Sequence, residues 1–568
     1  MDLRAQAERW LAEDPDPQTR AELAGLIERS DEAGIVDRFS GQLAFGTAGI
    51  RGPLGAGPNR MNRAVVRRVT AGLAARLRAA DPDAAARGLV LGQDARHGSE
   101  EFAFDAAAVL AGAGIGVRCF DEPVPTPLVA FAVRALGAGG GVQITASHNP
   151  ASDNGYKIYG PDGAQIAPPA DAEIVRAMDG IESLDDVPFA AGSPLIRPVP
   201  PKVREAYLDA AAGLALHPEH RDLSIVYTPL HGVAGELCAE LLDRAGFTDV
   251  RTVPAQADPD PDFPTVAFPN PELPGVLDLA LGLAGEVGAD LVLANDPDGD
   301  RIAAAVPGPP ARLLTGDEVG CLLAEYLLAS GGGGPERVVA TTVVSSRLLA
   351  RIAEAHGVGY AETLTGFKWL AGVAERARAE GGRLVLAYEQ ALGVMVGDAV
   401  RDKDGISAAL VLAELAAWLK ARGRTPLDAL DDLARRFGVH ATAGWSVRLE
   451  GARGAVLVGE TLDRLRTAPP AAVDGIPVVV VADHVEGVRR HADGAAEPLT
   501  TPRADLVGLE LADGCRLQIR PSGTEPLLKL YAEVVEPVVG GDVPAARVRA
   551  GPRLDALAGA FQQLAFPS

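Results

Sequence analysis

GLVLGQDAR (88–96), LSIVYTPLHGVAG (223–235) and RVVATTVVSS (337–346) repeat one plan. A short aliphatic or β-branched run enters a loop, an Ala/Leu-rich helix follows, and a glycine precedes a second strand. The helices end at AGAGIGV, RAGFTDV and EAHGVGY, where Gly114, Gly246 and Gly357 suit the left-handed residue that closes a helix. The repeat distance is that of a whole domain and not of a solenoid unit, so three related mixed α/β domains are expected.

Outward from these segments, the proline-rich SPLIRPVPPK (193–202) is expected to link the first domain to the second. LLTGDEVG (313–320) is expected to open the third. Beyond about residue 440 the texture changes to strands such as WSVRLE and IPVVVVAD without a following long helix, which predicts a fourth domain of α+β type. The expected limits are 1–200, 201–315, 316–438 and 439–568. The stretch 254–274 holds seven prolines, too many for regular structure.

The chain has 568 residues, 47% of them apolar and 23% charged, enough for a large aliphatic core and for several domains at roughly 150 residues each. Its formal charge of −23 repels phosphate backbones and anionic lipid, which speaks against nucleic-acid and membrane-surface roles. Cys119, Cys238, Cys321 and Cys515 form no CxxC pair, and the charged N-terminal stretch lacks the apolar core of a signal peptide. A cytoplasmic protein without disulfides or a zinc knuckle is expected.

The sharpest chemical signal is LVLANDPDGDR (291–301), a buried strand running into Asp296, Asp298 and Asp300, with Arg301 next. Alternation on an extended loop aims three carboxylates to one side, as a hard divalent cation requires. An EF-hand loop would need Gly and Glu where Arg301 and Pro307 stand. A solvated Asp-Gly turn is the plain alternative, but crowded carboxylates repel unless a cation neutralises them.

GVQITASHNPASDNGYKIYG (141–160) reads as a strand, a tight loop presenting Ser147, an Asn154-Gly155 turn and a return strand carrying Lys157. Taken alone, Ser147 reads as a turn residue. FGTAGIRG (45–52) brings three glycines beside Arg51, and LQIRPSGTEPLLKLYAEV (517–534) sets Arg520, Ser522, Gly523 and Thr524 between two strands, donors suited to a phosphate dianion. The chain has only six lysines: Lys157, Lys202, Lys368, Lys403, Lys420 and Lys529. Where arginine is the default cation, a retained lysine points to a need for an ammonium that can lose a proton. Lys157 and Lys368 suit that role, while Lys202 and Lys420 look solvated. His217 and His220 in HPEH lack further ligands and read as surface residues.

Together, TASHNP, DPDGDR, YEQALG and RPSGTEP, in this order, resemble the four active-site segments of the α-D-phosphohexomutases over residues of about 40 to 535. FGTAGIRG, YTPLHGVAG, DPDFPTVAFPNPE, TGFKW and VGDAVRDKDGISAAL resemble its phosphoglucomutase/phosphopentomutase branch. The resemblance implies three related α/β domains and a TATA-binding-protein-like fourth around a central cleft. It implies that Ser147 carries a phosphoryl group and that Asp296, Asp298 and Asp300, with Ser147, hold one Mg²⁺. Glu389 would contact sugar hydroxyls, and Thr47, Arg520, Ser522, Gly523 and Thr524 would bind substrate and its phosphate. A sugar 1,6-bisphosphate is the implied intermediate and activator, and a monomer or homodimer is expected.

The physical logic is that a seryl ester can give a phosphoryl and later take one back. Arg51 and Arg301 would add to the cation's charge stabilisation, and Lys157 or Lys368 would exchange the proton of the attacking hydroxyl. His148 competes for that role or orients Ser147. Closure of the fourth domain over bound phosphate is expected to protect the phosphoserine from water. In YEQALG, Ala391 stands where the hexose mutases carry a serine, a departure that leaves phosphoglucomutase, phosphopentomutase and sugar-bisphosphate synthase activities open; glucose phosphate is favoured, with mannose phosphates as side substrates. An aspartyl phosphatase would need Thr or Val at Asp300. A non-catalytic phosphosugar sensor would need neither Ser147 nor the triplet.

Overall fold

The structure is a computed structural model describing residues 2–46, 48–331, 334–449, 454–522 and 527–566. The chain divides into two compact units, Met1–Thr315 with Ala391–Ala421, and Gly316–Gln390 with Arg422–Ser568.

The first unit opens with helices Leu3–Glu13, Pro17–Glu28 and Glu32–Phe39, started by Asp2, Asp16 and Asp31, whose side chains accept from the free first-turn N–H groups. They pack around Ala7, Leu23, Leu26, Ile35 and Phe39. A seven-stranded sheet follows in the order Phe45–Gly46, Gly49–Pro53, Asp153–Tyr159, Gly140–Ile144, Leu89–Gln93, Val117–Cys119, Ile196–Pro198. Its last four strands pair in parallel and the others antiparallel. The aliphatic run Leu89–Gln93 is an inner strand, buried over Leu89–Gly92, as expected for a strand covered on both faces.

The second sheet runs Arg312–Leu313, Ile302–Val306, Leu291–Asn295, Ile225–Thr228, Val250–Thr252, with the last three parallel. Helix Gly405–Lys420, from the returning segment, packs on its central strands. It is apolar nearly all round and buried nearly all along, which is what an uninterrupted apolar helix demands.

The second unit begins with helix Gly316–Gly331 and a parallel set Gly359–Thr363, Arg337–Thr342, Arg383–Glu389. Gly320 is required where that helix crosses the strands, because a Cβ there would lie 2.3 Å from the Tyr388 ring. Helix Pro426–Phe437, opened by a Thr425/Asp428 capping box, leads into an antiparallel sheet. Its order is Val439–Arg448, Leu527–Glu536, Arg516–Pro521, Val507–Leu511, Ile476–Asp483, Val488–His491, Ala496–Pro498.

This is the expected organisation of mixed α/β sheets followed by an α+β region, with three corrections. The proline-rich 193–202 is more than a linker, since Ile196–Pro198 forms the edge strand of the first sheet, where proline's missing donor is tolerated. The region after 440 does carry long helices, Gly454–Thr467 and Val543–Ala565, which cover the antiparallel sheet's apolar face. Asn154 and Gly155 lie inside strand Asp153–Tyr159 and make no turn. Gly114, Gly246 and Gly357 do take positive φ at their helix ends. No described helix is long and apolar enough to cross a membrane.

Candidate active site

Strand Gly140–Ile144 ends one turn before Ser147, which is buried with φ +55, a left-handed backbone that a non-glycine residue adopts only when its surroundings enforce it. The enforcement comes from Arg96. Its guanidinium donates to the carbonyls of Ser147 and Asn149 at 2.6 Å each, Pro150 at 2.7 Å and Asp153 at 3.1 Å. Asp94 lies 3.4 Å away, and the guanidinium stands over the Phe263 ring at 4.9 Å. The Thr145 hydroxyl accepts from the Ser147 N–H at 2.8 Å.

So held, the Ser147 hydroxyl donates to Asp296 Oδ2 at 2.8 Å and lies 3.2 Å from His148 Nδ1. Burial, then the charges of Arg301 and Arg51, press the His148 imidazole well below its usual range, so it is neutral at pH 7.

Strand Leu291–Asn295 delivers Asp296, Asp298 and Asp300, all fully buried. The alternation does not work through an extended loop. The segment is a turn, with the Gly299 N–H bonded to the Asp296 carbonyl at 2.8 Å and Gly299 at φ +71. Pro297 is backed by the YTPLHG loop, where Val233 N–H reaches its carbonyl at 2.8 Å and a Cβ on Gly232 would lie 2.4 Å from its Cα. From helix Thr126–Ala135, the Thr126 hydroxyl donates to Asp298 Oδ2 at 2.5 Å and its N–H to the Asp298 carbonyl at 2.9 Å.

Lys157 Nζ bridges two of the carboxylates, 2.6 Å from Asp298 Oδ2 and 2.7 Å from Asp300 Oδ2, with all three groups fully buried. Lys403 Nζ lies 3.3 Å from Asp300 Oδ2. Arg301 Nε stands 4.0 Å from Asp296 and from Asp300, the Arg301 backbone N–H donates to Asp296 Oδ1 at 3.0 Å, and the guanidinium reaches Glu272 of the proline-rich loop at 3.3 Å. Burial and the charges of Asp298 and Asp300 push the Asp296 carboxyl up to about 8. Burial also works against the Asp300 carboxylate, but Lys157, Lys403 and Arg301 hold it well below the usual range.

One oxygen from each of the three carboxylates lies within 4.8 Å of the others. Asp298 Oδ1 and Asp300 Oδ1 are buried with no hydrogen-bond partner among the described residues. Compact hard oxygens with unsatisfied lone pairs are the donor set of a hard divalent cation, so the residues fit Mg²⁺.

Arg51 stands on strand Gly49–Pro53 opposite Gly155, and a Cβ there would lie 2.5 Å from the Thr145 carbonyl and 3.0 Å from Arg51 Cγ. Glycine thus lets the arginine cross the strand. Its Nε is buried and unpartnered among the described residues.

The first unit therefore gathers Ser147, His148, Lys157, Asp296, Asp298, Asp300 and Arg301. The second carries Lys368, Glu389, Arg520 and Ser522. There Glu389 Oε1 accepts from the Gly366 N–H at 2.6 Å, just before the helix Phe367–Ala379 that holds Lys368. Arg520 donates to the Tyr531 hydroxyl at 3.0 Å, and Ser522 N–H reaches the Leu527 carbonyl at 2.9 Å. Thr47, Gly523 and Thr524 lie outside the described residues. Sequence reasoning missed Arg96, Thr126 and Lys403. The scarcity of lysine pointed toward Lys403, whereas nothing in GQDAR marks Arg96 before the loop it clamps is known. His217 and His220 keep about a quarter of their side chains exposed, each beside Glu219, and the His217 ring lies 6.1 Å from that of Trp418.

Comparison with known proteins bears on this geometry. Four models of the phosphoglucomutase/phosphomannomutase family match: alpha/beta/alpha domains I, II and III over residues 42–185, 205–308 and 315–437, and the C-terminal domain over 470–549. A probable phosphomannomutase of Haemophilus influenzae is 38% identical over 481 residues, covering 83% of this chain and 93% of its own. A probable phosphoribomutase of Schizosaccharomyces pombe is 38% identical over 555 residues, 93% of each chain. A Staphylococcus epidermidis phosphoglucomutase is 34% identical over 499 residues, covering 87% of this chain and 90% of its own. The crystal structure of a putative phosphomannomutase from Thermus thermophilus shares the fold, with TM-score 0.68, 23% identity, and 92% of this chain and 99% of that one covered. The chain belongs to the phosphoglucomutase/phosphomannomutase family, a family of phosphosugar-mutating isomerases.

Proposed function

We propose that the protein interconverts a hexose 1-phosphate and the hexose 6-phosphate, glucose before mannose, through a phosphorylated Ser147 and a sugar 1,6-bisphosphate. The observation that carries this reading is the Ser147 hydroxyl held 2.8 Å from Asp296 at the mouth of a buried carboxylate triplet. In each half-reaction the P–O bond to one oxygen breaks as the bond to the other forms, and the hydroxyl proton leaves to a nearby base. Ser147 is first donor and then acceptor, so one serine serves both ends of the sugar.

Asp296, Asp298 and Asp300 would hold Mg²⁺, which when bound neutralises charge on the transferring phosphoryl group. Arg301 and Arg51 add positive charge beside Ser147. Neutral His148 orients the seryl oxygen. Lys157 or Lys368 exchanges the proton of the sugar hydroxyl. Glu389 binds sugar hydroxyls and Thr47 binds substrate, while Arg520, Ser522, Gly523 and Thr524 bind the phosphate that does not react. All four cysteines are unpaired, which supports work in a reducing cytoplasm.

A second reading, in which a pentose phosphate is the main substrate, is favoured by the relative that matches over 93% of both chains, named a probable phosphoribomutase. Intact mass of the purified protein tests the shared chemistry: a gain of about 80 Da mapped to Ser147 is expected. Turnover of glucose, mannose and ribose 1-phosphates ranks the sugars. Absence of the modification after incubation with a sugar bisphosphate, together with turnover retained in Ser147→Ala, would overturn the proposal.

A further inference from the structure

Within the second unit, the strand that carries Tyr531, the partner of Arg520, also carries Glu533, a buried carboxylate outside the site already described. On the antiparallel sheet Glu533 lies directly between Thr442 and Arg516, its cross-strand neighbours on either side. Glu533 and Arg516 meet the loop Ser345–Ser346–Arg347 that follows strand Arg337–Thr342, and Thr442 reaches it through Asp317.

The contacts are many and converge on one carboxylate. Glu533 Oε1 accepts from the Ser346 hydroxyl at 2.8 Å and the Arg347 N–H at 2.9 Å, and lies 2.9 Å from His440 Nδ1. Glu533 Oε2 accepts from Arg347 Nε at 3.0 Å and lies 3.4 Å from Arg516 Nη2. Beside it, Asp317 accepts from the Ser346 N–H at 2.7 Å, the Thr442 hydroxyl at 2.9 Å and the Tyr388 hydroxyl at 3.1 Å. Arg516 also donates to the Ser345 carbonyl.

The same loop reaches the sugar-binding candidate. The Ser345 hydroxyl accepts from the Gln390 N–H at 3.2 Å and donates to its side-chain oxygen at 3.0 Å, one residue beyond Glu389. Val343 and Val344 pack with Leu506 against Tyr531. A polar chain thus runs from the residue next to Glu389, through Ser345 and Glu533, to the residue that holds Arg520. Multiply bonded buried charges of this kind permit one arrangement only, since any slip leaves an unpaired charge.

We propose that Glu533 is a positioning residue that fixes the separation between Glu389 and Arg520, so that the joint between the parallel and antiparallel sheets measures the length of the phosphosugar. The inference rests on the function proposed above. Glu533 touches no substrate and acts through the two groups it spaces. A hexose and a pentose phosphate differ by one carbon between the sugar hydroxyls and the distal phosphate, so a loosened joint relaxes the choice between them.

The test is steady-state turnover of glucose 1-phosphate and ribose 1-phosphate by the full-length wild type, Glu533→Gln and Ser346→Ala, with melting temperature recorded for each. Ser346→Ala removes two hydrogen bonds, the one to Glu533 and the one the hydroxyl accepts from the Leu348 N–H, and keeps the measurement alive if Glu533→Gln does not fold. The expected result is KM for the preferred sugar raised about tenfold, and the ratio of kcat/KM between the two sugars moved at least about fivefold toward unity. Hydrolysis of the preformed phosphoserine by water, which needs no sugar, should be unchanged. A working wild type whose ratio is unmoved in the variants, or variants that lose kcat equally for both sugars at unchanged KM, would overturn the spacing role alone. A wild type inert toward both sugars would overturn the function and this role with it.

Discussion

Arg96 Nη2 donates to the Ser147 carbonyl at 2.6 Å, and through three further carbonyls the same guanidinium holds the loop as far as Asp153. The left-handed backbone of Ser147 is therefore maintained from a different strand-loop segment. Replacing Arg96 with Met leaves buried carbonyls unpaired and Asp94 without its counter-charge, at a cost of about 3 kcal/mol. Arg96→Lys restores charge but not the fork. Both variants should lower kcat by at least about tenfold, and Met should lower the melting temperature more than Lys, as calorimetry would read.

The triplet also makes a metal-binding prediction. Asp298→Asn should weaken Mn²⁺ binding, followed by electron paramagnetic resonance without substrate, by at least about tenfold, or ~1.4 kcal/mol. Lys403→Met removes an ammonium 3.3 Å from Asp300 and should strengthen that binding several-fold, since like charges repel. Equal affinities in the wild type and both variants would show that the ion sits elsewhere.

Asp317 sets a pH dependence of stability. Burial pushes its carboxyl from the ordinary 3.8 up to about 6, against the pull of its hydrogen bonds to Ser346 and Thr442. Between those values the folded chain keeps a proton that the unfolded chain has released, so stability falls as pH rises through that window and is flat above it. The loss is about 3 kcal/mol at ~1.36 kcal/mol per unit. Urea midpoints of wild type and Asp317→Asn, compared from pH 4 to 7, should converge or cross as pH rises. Parallel curves would contradict this.

Cysteine reactivity gives a simpler check. Burial pushes the thiols of Cys119 and Cys238 up to about 12 and of Cys515 to about 11, and raises that of Cys321 as well. Ellman's reagent at pH 8 should find almost no rapid thiol in the native protein and all four after denaturation.

Much of this was legible in the chain because it is local. A β-branched run, a loop and a glycine-ended helix each follow from backbone and side-chain preferences over a few residues, and the Asp triplet lies within five positions. The strand limits were less legible. Asn154-Gly155 has the composition of a hairpin turn, but Asn154 is buried, its side chain donating to the His97 carbonyl at 2.9 Å and the Ser99 hydroxyl at 3.0 Å, and Gly155 is needed opposite Arg51. Tertiary packing overrode the turn preference there. The proline-rich 193–202 was similarly recruited as a sheet edge.

The sequence by itself determined which chemistry is present: a serine in a tight loop, three carboxylates after a buried strand, scarce lysines and an arginine-serine loop between strands. Only the tertiary structure decided that Ser147 faces Asp296, that Lys157 and Lys403 balance the triplet, that Arg96 maintains the Ser147 backbone, and that Glu533 meets the loop beside Glu389. The reason is physical. Residue type and spacing fix what a group can do, but Coulomb attraction and desolvation depend on distances between residues far apart in the chain, and those distances exist only once the sheets have packed.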